Sequence, residues 1–272
     1  MKMNTFKKIT AVLLCFFLIG FSLTVYADEA EEALNYVVLG DSISKGSGIT
    51  NSDEACFGRI IADTNGYNYV NYGVDGLESS GLLGMVQRDD VYRSISNADI
   101  ISISIGGNNY RHAALSLLFG GVMMQIGSAF DRVLDPFYDD FCNIISIVHD
   151  ANPDALILVQ TLYNPSTGVL RSAFGYAIDK LNECFYRYDS ENPGIITIAD
   201  VATELDGHAQ SFAIIHPTAK GNEEIARFLL GILYDLGLGK NTEPVIKVKG
   251  RNTLEYTAAC ILNPTKLIPA AA

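Results

Sequence analysis

Short apolar runs, each about the length of one strand, alternate along this 272-residue chain with longer stretches of helical spacing. Asn35 to Leu39 (NYVVL) is the first run, and it ends in Gly40-Asp41-Ser42. Tyr67 to Tyr72 reads as a second strand, Asp99 to Ile105 (DIISISI) as a third, Ala155 to Leu162 (ALILVQTL) as a fourth and Gly194 to Ile198 as a fifth. The runs are close to continuously apolar, as strands buried on both faces are. Between them, residues 53–64 predict a helix with a cap at Ser52 or Asp53 and a stop at Gly66, and residues 77–87 a short one. Residues 111–150 are helical in pattern, with breaks expected near Gly120-Gly121 and Asp135-Pro136. Residues 168–188 follow, and then 218–236, where Ile225, Phe228, Leu229, Ile232, Leu233 and Leu236 make one apolar face. Strands alternating with helices predict an α/β fold built on a parallel five-stranded sheet covered on both sides. The 49% hydrophobic content is enough for one well-buried domain and scant for two.

Both ends of the chain differ from this pattern. Lys2, Lys7 and Lys8 precede an apolar run from Ile9 to Val25, and Val25-Tyr26-Ala27 offers small residues for cleavage just before Asp28 and Glu29. Residues 1–27 therefore read as a signal peptide, which places the mature protein outside the cytoplasm with no transmembrane segment. An uncleaved anchor is the alternative, because about 17 apolar residues is the lower edge for a membrane span. Removing the leader takes away three lysines and no acids, leaving 16 basic against 31 acidic residues, a formal charge of −15. Such a surface repels nucleic acid and anionic membranes. Residues 28–239 form the expected domain, and 240–272 a separate tail to which the sequence assigns no role. Within the tail, Val245 to Lys249 alternates apolar and basic residues, and Gly250 to Asn252 suggest a hairpin turn.

Cys56, Cys142, Cys184 and Cys260 remain after the leader, and four cysteines allow three pairings. Cys142 and Cys184 fall on helix faces, where a buried free thiol is the plainer reading. There is no C-x-x-C, and His112, His149, His208 and His216 are scattered without metal-ligand spacing, so no metal or other cofactor is expected.

Ligands of an open parallel sheet bind at the carboxyl ends of its strands. Three unusual segments fall there: Gly40-Asp41-Ser42, Asn71 to Gly76, and Gly106-Gly107-Asn108. A fourth, His216-Pro217, precedes the last helix. Singly each has a bland explanation, as a turn, a cap or a structural histidine. In this order they resemble the four sequence blocks of the SGNH/GDSL hydrolase family. Val38 to Ser42 resembles the nucleophile block and Asn71 to Gly76 the block with an oxyanion glycine. Ile105 to Asn109 resembles the block with an oxyanion asparagine, and His216 to Gly221 the block that supplies the base. Tyr163-Asn164-Pro165 is also similar to a segment common in bacterial members. The likeness spans residues 36–236.

The resemblance implies a flavodoxin-like, three-layer αβα fold and an esterase or acylhydrolase acting on esters of lipids or acylated carbohydrates, small or polymer-borne. Ser42 would be the nucleophile, His216 the general base, and Ser42, Gly76 and Asn108 the oxyanion donors. These residue types suit the chemistry. A serine hydroxyl needs a base to attack an ester, and the tetrahedral oxyanion needs donors aimed at it. The G-x-S-x-G elbow of the α/β-hydrolases is absent around Ser42.

One position departs from the family pattern, which has Asp three residues before the catalytic histidine. Here Ala213 stands there. Three explanations remain open: a surrogate acid from Asp206, Glu204 or Asp200; a Ser-His dyad with the ring held by a backbone carbonyl; or a weak or inactive protein that binds without catalysis.

Overall fold

A computed structural model describes residues 32–110, 126–165, 169–213 and 215–253. The expected leader, residues 1–27, lies outside them. The chain divides between Ala33 and Leu34 into two units, and of the first only residues 32 and 33 are described, without regular secondary structure. Everything below concerns the second.

Its elements in chain order are β1 (Asn35–Gly40), α1 (Ser42–Lys45), α2 (Ser52–Ala55), α3 (Phe57–Asn65), β2 (Asn68–Gly73), α4 (Ser79–Val86), α5 (Asp89–Ser96) and β3 (Ile100–Ser104). There follow α6 (Ile126–Ala151), β4 (Leu156–Gln160), α7 (Val169–Glu191), β5 (Thr197–Ala199) and α8 (Val201–Glu204). A short 3-10 turn (Ala209–Ser211), β6 (Phe212–Ala213), β7 (His216–Pro217) and α9 (Ala219–Asp235) complete it.

The five long strands form one parallel sheet in the order β2-β1-β3-β4-β5. This is the flavodoxin-like order, and its direction of winding reverses between β1 and β3. Side chains alternate across β1 as the pleat requires. Val37 and Leu39 point into a core with Leu82, Val86, Val91, Ile95, Phe137, Phe141, Ile144 and Phe185, from α4, α5, α6 and α7. Tyr36 and Val38 point the other way, toward Phe57, Ile60, Ile61, Ile225, Leu229 and Leu233 of α3 and α9. Helices thus cover both faces, which gives the expected three layers.

Two local expectations are corrected. The helix expected over 53–64 is two helices, because Cys56 adopts an extended backbone (φ −71°, ψ 160°) between α2 and α3. The break expected at Asp135-Pro136 does not occur, and α6 runs through Pro136. Proline costs that helix one backbone hydrogen bond, while Phe137, Phe141 and Ile144 just beyond are completely buried over the sheet. The second arm of the hairpin expected at Gly250 to Asn252 lies outside the described residues. Within the described part of the tail, Asn252 makes an antiparallel bridge to Ile49, more than 200 positions earlier. The expected break near Gly120-Gly121 lies outside the described residues.

Cys56, Cys142 and Cys184 are free thiols. Burial raises the Cys184 thiol to about 11, with nearby Arg187 pulling the other way. Among the described residues no helix is long and apolar enough to cross a membrane.

Candidate active site

At the end of β1 the chain must turn sharply against β3. Gly40 has φ 136°, and a Cβ there would stand 2.1 Å from the Ser104 carbonyl oxygen, so only glycine fits. The Asp41 N–H donates to that same carbonyl at 3.1 Å. Asp41 then caps α1, its Oδ1 accepting from the Ile43 N–H at 2.9 Å. The Ser44 hydroxyl donates back to the Leu39 carbonyl at 2.9 Å. This turn sets Ser42 as the first residue of α1, 8% exposed, at the switch point of the sheet.

His216 arrives from the opposite direction on β7. Its Nε2 lies 3.0 Å from Ser42 Oγ, although 174 positions separate the two residues. Several contacts hold this arm. β7 pairs antiparallel with β6, and Ala213 is the register partner of His216. The Tyr163 hydroxyl donates to the Ile215 carbonyl at 2.8 Å, and its ring stacks on Phe212 at 4.3 Å between centroids. Thr218 caps α9 by accepting from the Gly221 N–H at 3.1 Å. Gly221 is needed because a Cβ there would meet the Ser211 carbonyl oxygen at 2.1 Å.

The second and third blocks close around the turn. Asn71 Nδ2 donates to the Ser44 carbonyl at 2.8 Å, and Gly73 packs so tightly on α1 that a Cβ would stand 2.4 Å from the Lys45 nitrogen. Gly76 has φ 74°, and a Cβ there would meet nothing within 4 Å. Asn108 is buried. Its Nδ2 donates to the Leu77 carbonyl at 3.0 Å and lies 3.4 Å from Asp41 Oδ2. Asp41 therefore connects Asn108 to the turn that carries Ser42. Desolvation raises the buried Asp41 carboxyl to about 7; the Ile43 N–H opposes this and the charge of Asp75 adds to it.

The candidate acids are differently placed. Asp206 follows α8 and pairs with Arg171, with its side chain 62% exposed. The two line a cavity of about 490 Å³ with Asn164, Tyr176 and Asp179. Asp200 caps α8, accepting from the Thr203 N–H at 3.2 Å and the Thr161 hydroxyl at 3.0 Å. Glu204 is exposed on α8. A further carboxylate, Asp75, went unassigned in the sequence although it lies inside the second block. Lys45 holds it at 2.5 Å and the Ser47 hydroxyl donates to it. Partial desolvation works upward on its pKa, but the hydrogen bonds from Lys45 and Ser47, with the charges of Lys45 and His216, hold it below the usual carboxylate range. Among the described residues no three His, Cys, Asp or Glu side chains come together as a metal site.

A three-layer αβα fold with a serine and a histidine in contact at the sheet's carboxyl edge defines the class as an SGNH-type hydrolase. Residues 38–224 match the GDSL-like Lipase/Acylhydrolase family, and the chain belongs to that family. It is 24% identical over 198 residues to the uncharacterized protein YpmR of Bacillus subtilis (strain 168), covering 69% of this chain and 68% of YpmR. The fold is similar to that of the lipase Lip_vut3 from a goat rumen metagenome, with TM-score 0.63, 20% identity, and coverage of 76% of this chain and 99% of the lipase. It is also similar to phospholipase A1 from Streptomyces albidoflavus NA297, with TM-score 0.60, 21% identity, and coverage of 74% and 99%.

Proposed function

We propose that the protein is an extracytoplasmic carboxylic ester hydrolase in which Ser42 attacks the ester carbonyl and His216 is the general base. The 3.0 Å contact between Ser42 Oγ and His216 Nε2 carries this reading. That separation is within reach for proton transfer. As Ser42 Oγ bonds to the carbonyl carbon, its proton passes to His216 Nε2. The carbonyl oxygen becomes the oxyanion, received by the N–H groups of Ser42 and Gly76 and the Asn108 amide. Of the two Asn108 N–H groups, the one with only the long Asp41 contact takes this role. Collapse expels the alcohol, which leaves with the proton from His216. Water, deprotonated by the same histidine, then releases the acid and regenerates Ser42.

The open backbone at Gly76 leaves room for an acyl group beside the oxyanion position. The lipase and the phospholipase that share the fold favour esters of lipids as the substrate class, with acylated carbohydrates the other class. The basic and apolar leader is the support for export. The test is hydrolysis of p-nitrophenyl esters of rising chain length by the mature chain and by Ser42→Ala. The reading predicts turnover by the wild type and a loss of several orders of magnitude in a folded Ser42→Ala. A Ser42→Ala variant that keeps most of the rate would overturn it.

A further inference from the structure

The tail beyond α9 lies past the family match, yet it returns to the active site. It first anchors on the end of α3. Asn65 Oδ1 accepts from the N–H groups of Lys240 and Asn241 at 2.9 and 3.0 Å, and Thr64 Oγ1 accepts from the Val245 N–H at 2.9 Å. Lys247 then pairs with the largely buried Asp63 at 3.0 Å. The last described residues run antiparallel to the loop that follows α1. The Thr50 N–H donates to the Arg251 carbonyl at 2.8 Å and the Thr253 N–H to the Gly48 carbonyl at 2.9 Å, with Asn252 opposite Ile49. Gly48 in turn abuts the catalytic arm. Its φ is 99°, and a Cβ there would stand 2.9 Å from His216 Cβ. Asn252 also reaches the chain just beyond the same histidine. Its Oδ1 accepts from the Ala219 N–H at 3.0 Å, at the first residue of α9 and three positions after His216. That N–H has no acceptor within its own helix, and the Thr218 cap is used on Gly221.

We propose that residues 240–253 form a strap and that Asn252 is a positioning residue for His216. It ties the loop that backs the histidine to the helix start that follows it. The proposal rests on the assignment of Ser42 and His216 as the reacting pair. Its physical basis is that a catalytic pair loses rate steeply when one member is displaced. A 1 Å misplacement costs on the order of 10²-fold, and losing one of several restraints costs less. The loss falls on kcat, because Asn252 acts on the base and not on substrate binding.

The experiment uses the full mature chain and compares wild type, Asn252→Ala, Asn252→Asp and Thr253→Pro. Rates on p-nitrophenyl acetate are recorded beside thermal unfolding and the His216 imidazole signals in ¹⁵N-labelled protein. Asn252→Ala should lower kcat about tenfold at unchanged KM, remain folded at the assay temperature, and shift the His216 signals. Asn252→Asp keeps an acceptor for the Ala219 N–H and should restore both the rate and the signals. Thr253→Pro deletes the N–H that reaches Gly48 and should reproduce the loss with the Asn252 side chain intact, so it carries the test if Asn252→Ala does not fold. An active wild type whose Asn252→Ala and Thr253→Pro variants keep its kcat and His216 signals would overturn the strap and leave the function standing. A wild type inert on every ester, with Ser42 unreactive, would instead overturn the function. The imidazole signals would then decide the strap alone, shifted in both variants if it holds and unchanged if it does not.

Discussion

Asp41 carries a carboxyl into an almost water-free turn, with Oδ1 on the Ile43 N–H and Oδ2 facing the Asn108 amide. Its folded pKa of about 7 lies above the unfolded value near 4, so the folded state holds the proton more tightly. The stability this provides is complete below about pH 4 and is lost as pH rises through 7, a few kcal/mol at most. Asp41→Asn keeps an oxygen for Ile43 and removes the titration. Unfolding temperatures of the two proteins from pH 4 to 8 should therefore show a shallower decline for the variant, and parallel curves would refute the assignment. Asn108 supports a different expectation. Asn108→Ala removes a proposed oxyanion donor and should lower kcat by about 10²–10³ with little change in KM. An effect confined to KM would make Asn108 a ground-state binding residue. Ser42, His216 and Asn108 were legible in the sequence because each sits in a short motif at a strand or helix end. The same blocks hold Asp75, whose place beside Lys45 and Ser47 depends on how two loops meet and leaves no local pattern.

At the scale of elements, the start of α9 serves both packing and the placement of His216. Gly221 lies 2.1 Å, by its missing Cβ, from the Ser211 carbonyl, whereas Gly231 in the same helix meets nothing within 4 Å. Gly221→Ala should cost about 1–3 kcal/mol of stability by overpacking and reduce kcat by moving the arm that bears His216. Gly231→Ala should be neutral or stabilising by up to about 1 kcal/mol through helix propensity. Thermal unfolding and kcat of the two variants check the contrast, and equal behaviour would show that the close approach has no consequence. The strong elements were legible: β1, β3, β4 and α9 follow from apolar runs and from one wide apolar face. The helix α5 was not, since its eight residues bury only Val91 and Ile95. Nor was the path of α6 through Pro136, where burial of the following phenylalanines outweighs a local preference.

For the whole molecule, the alternation of strands and helices leads to a parallel sheet but does not order its strands. The order β2-β1-β3-β4-β5 brings the ends of β1 and β3 together, and with them Ser42 and Asn108. The tail was opaque for the same reason. Gly250 to Asn252 carry a local turn signal, and nothing local announces that this segment also pairs with a loop some two hundred residues earlier. The central claim is that this topology makes Ser42 a nucleophile activated by His216. Its most direct test is treatment of the protein with a fluorophosphonate, followed by mass spectrometry of the peptides. The account predicts a single adduct on Ser42, formed rapidly in the wild type and orders of magnitude more slowly in His216→Ala. An unlabelled Ser42, or labelling at the same rate without His216, would contradict it.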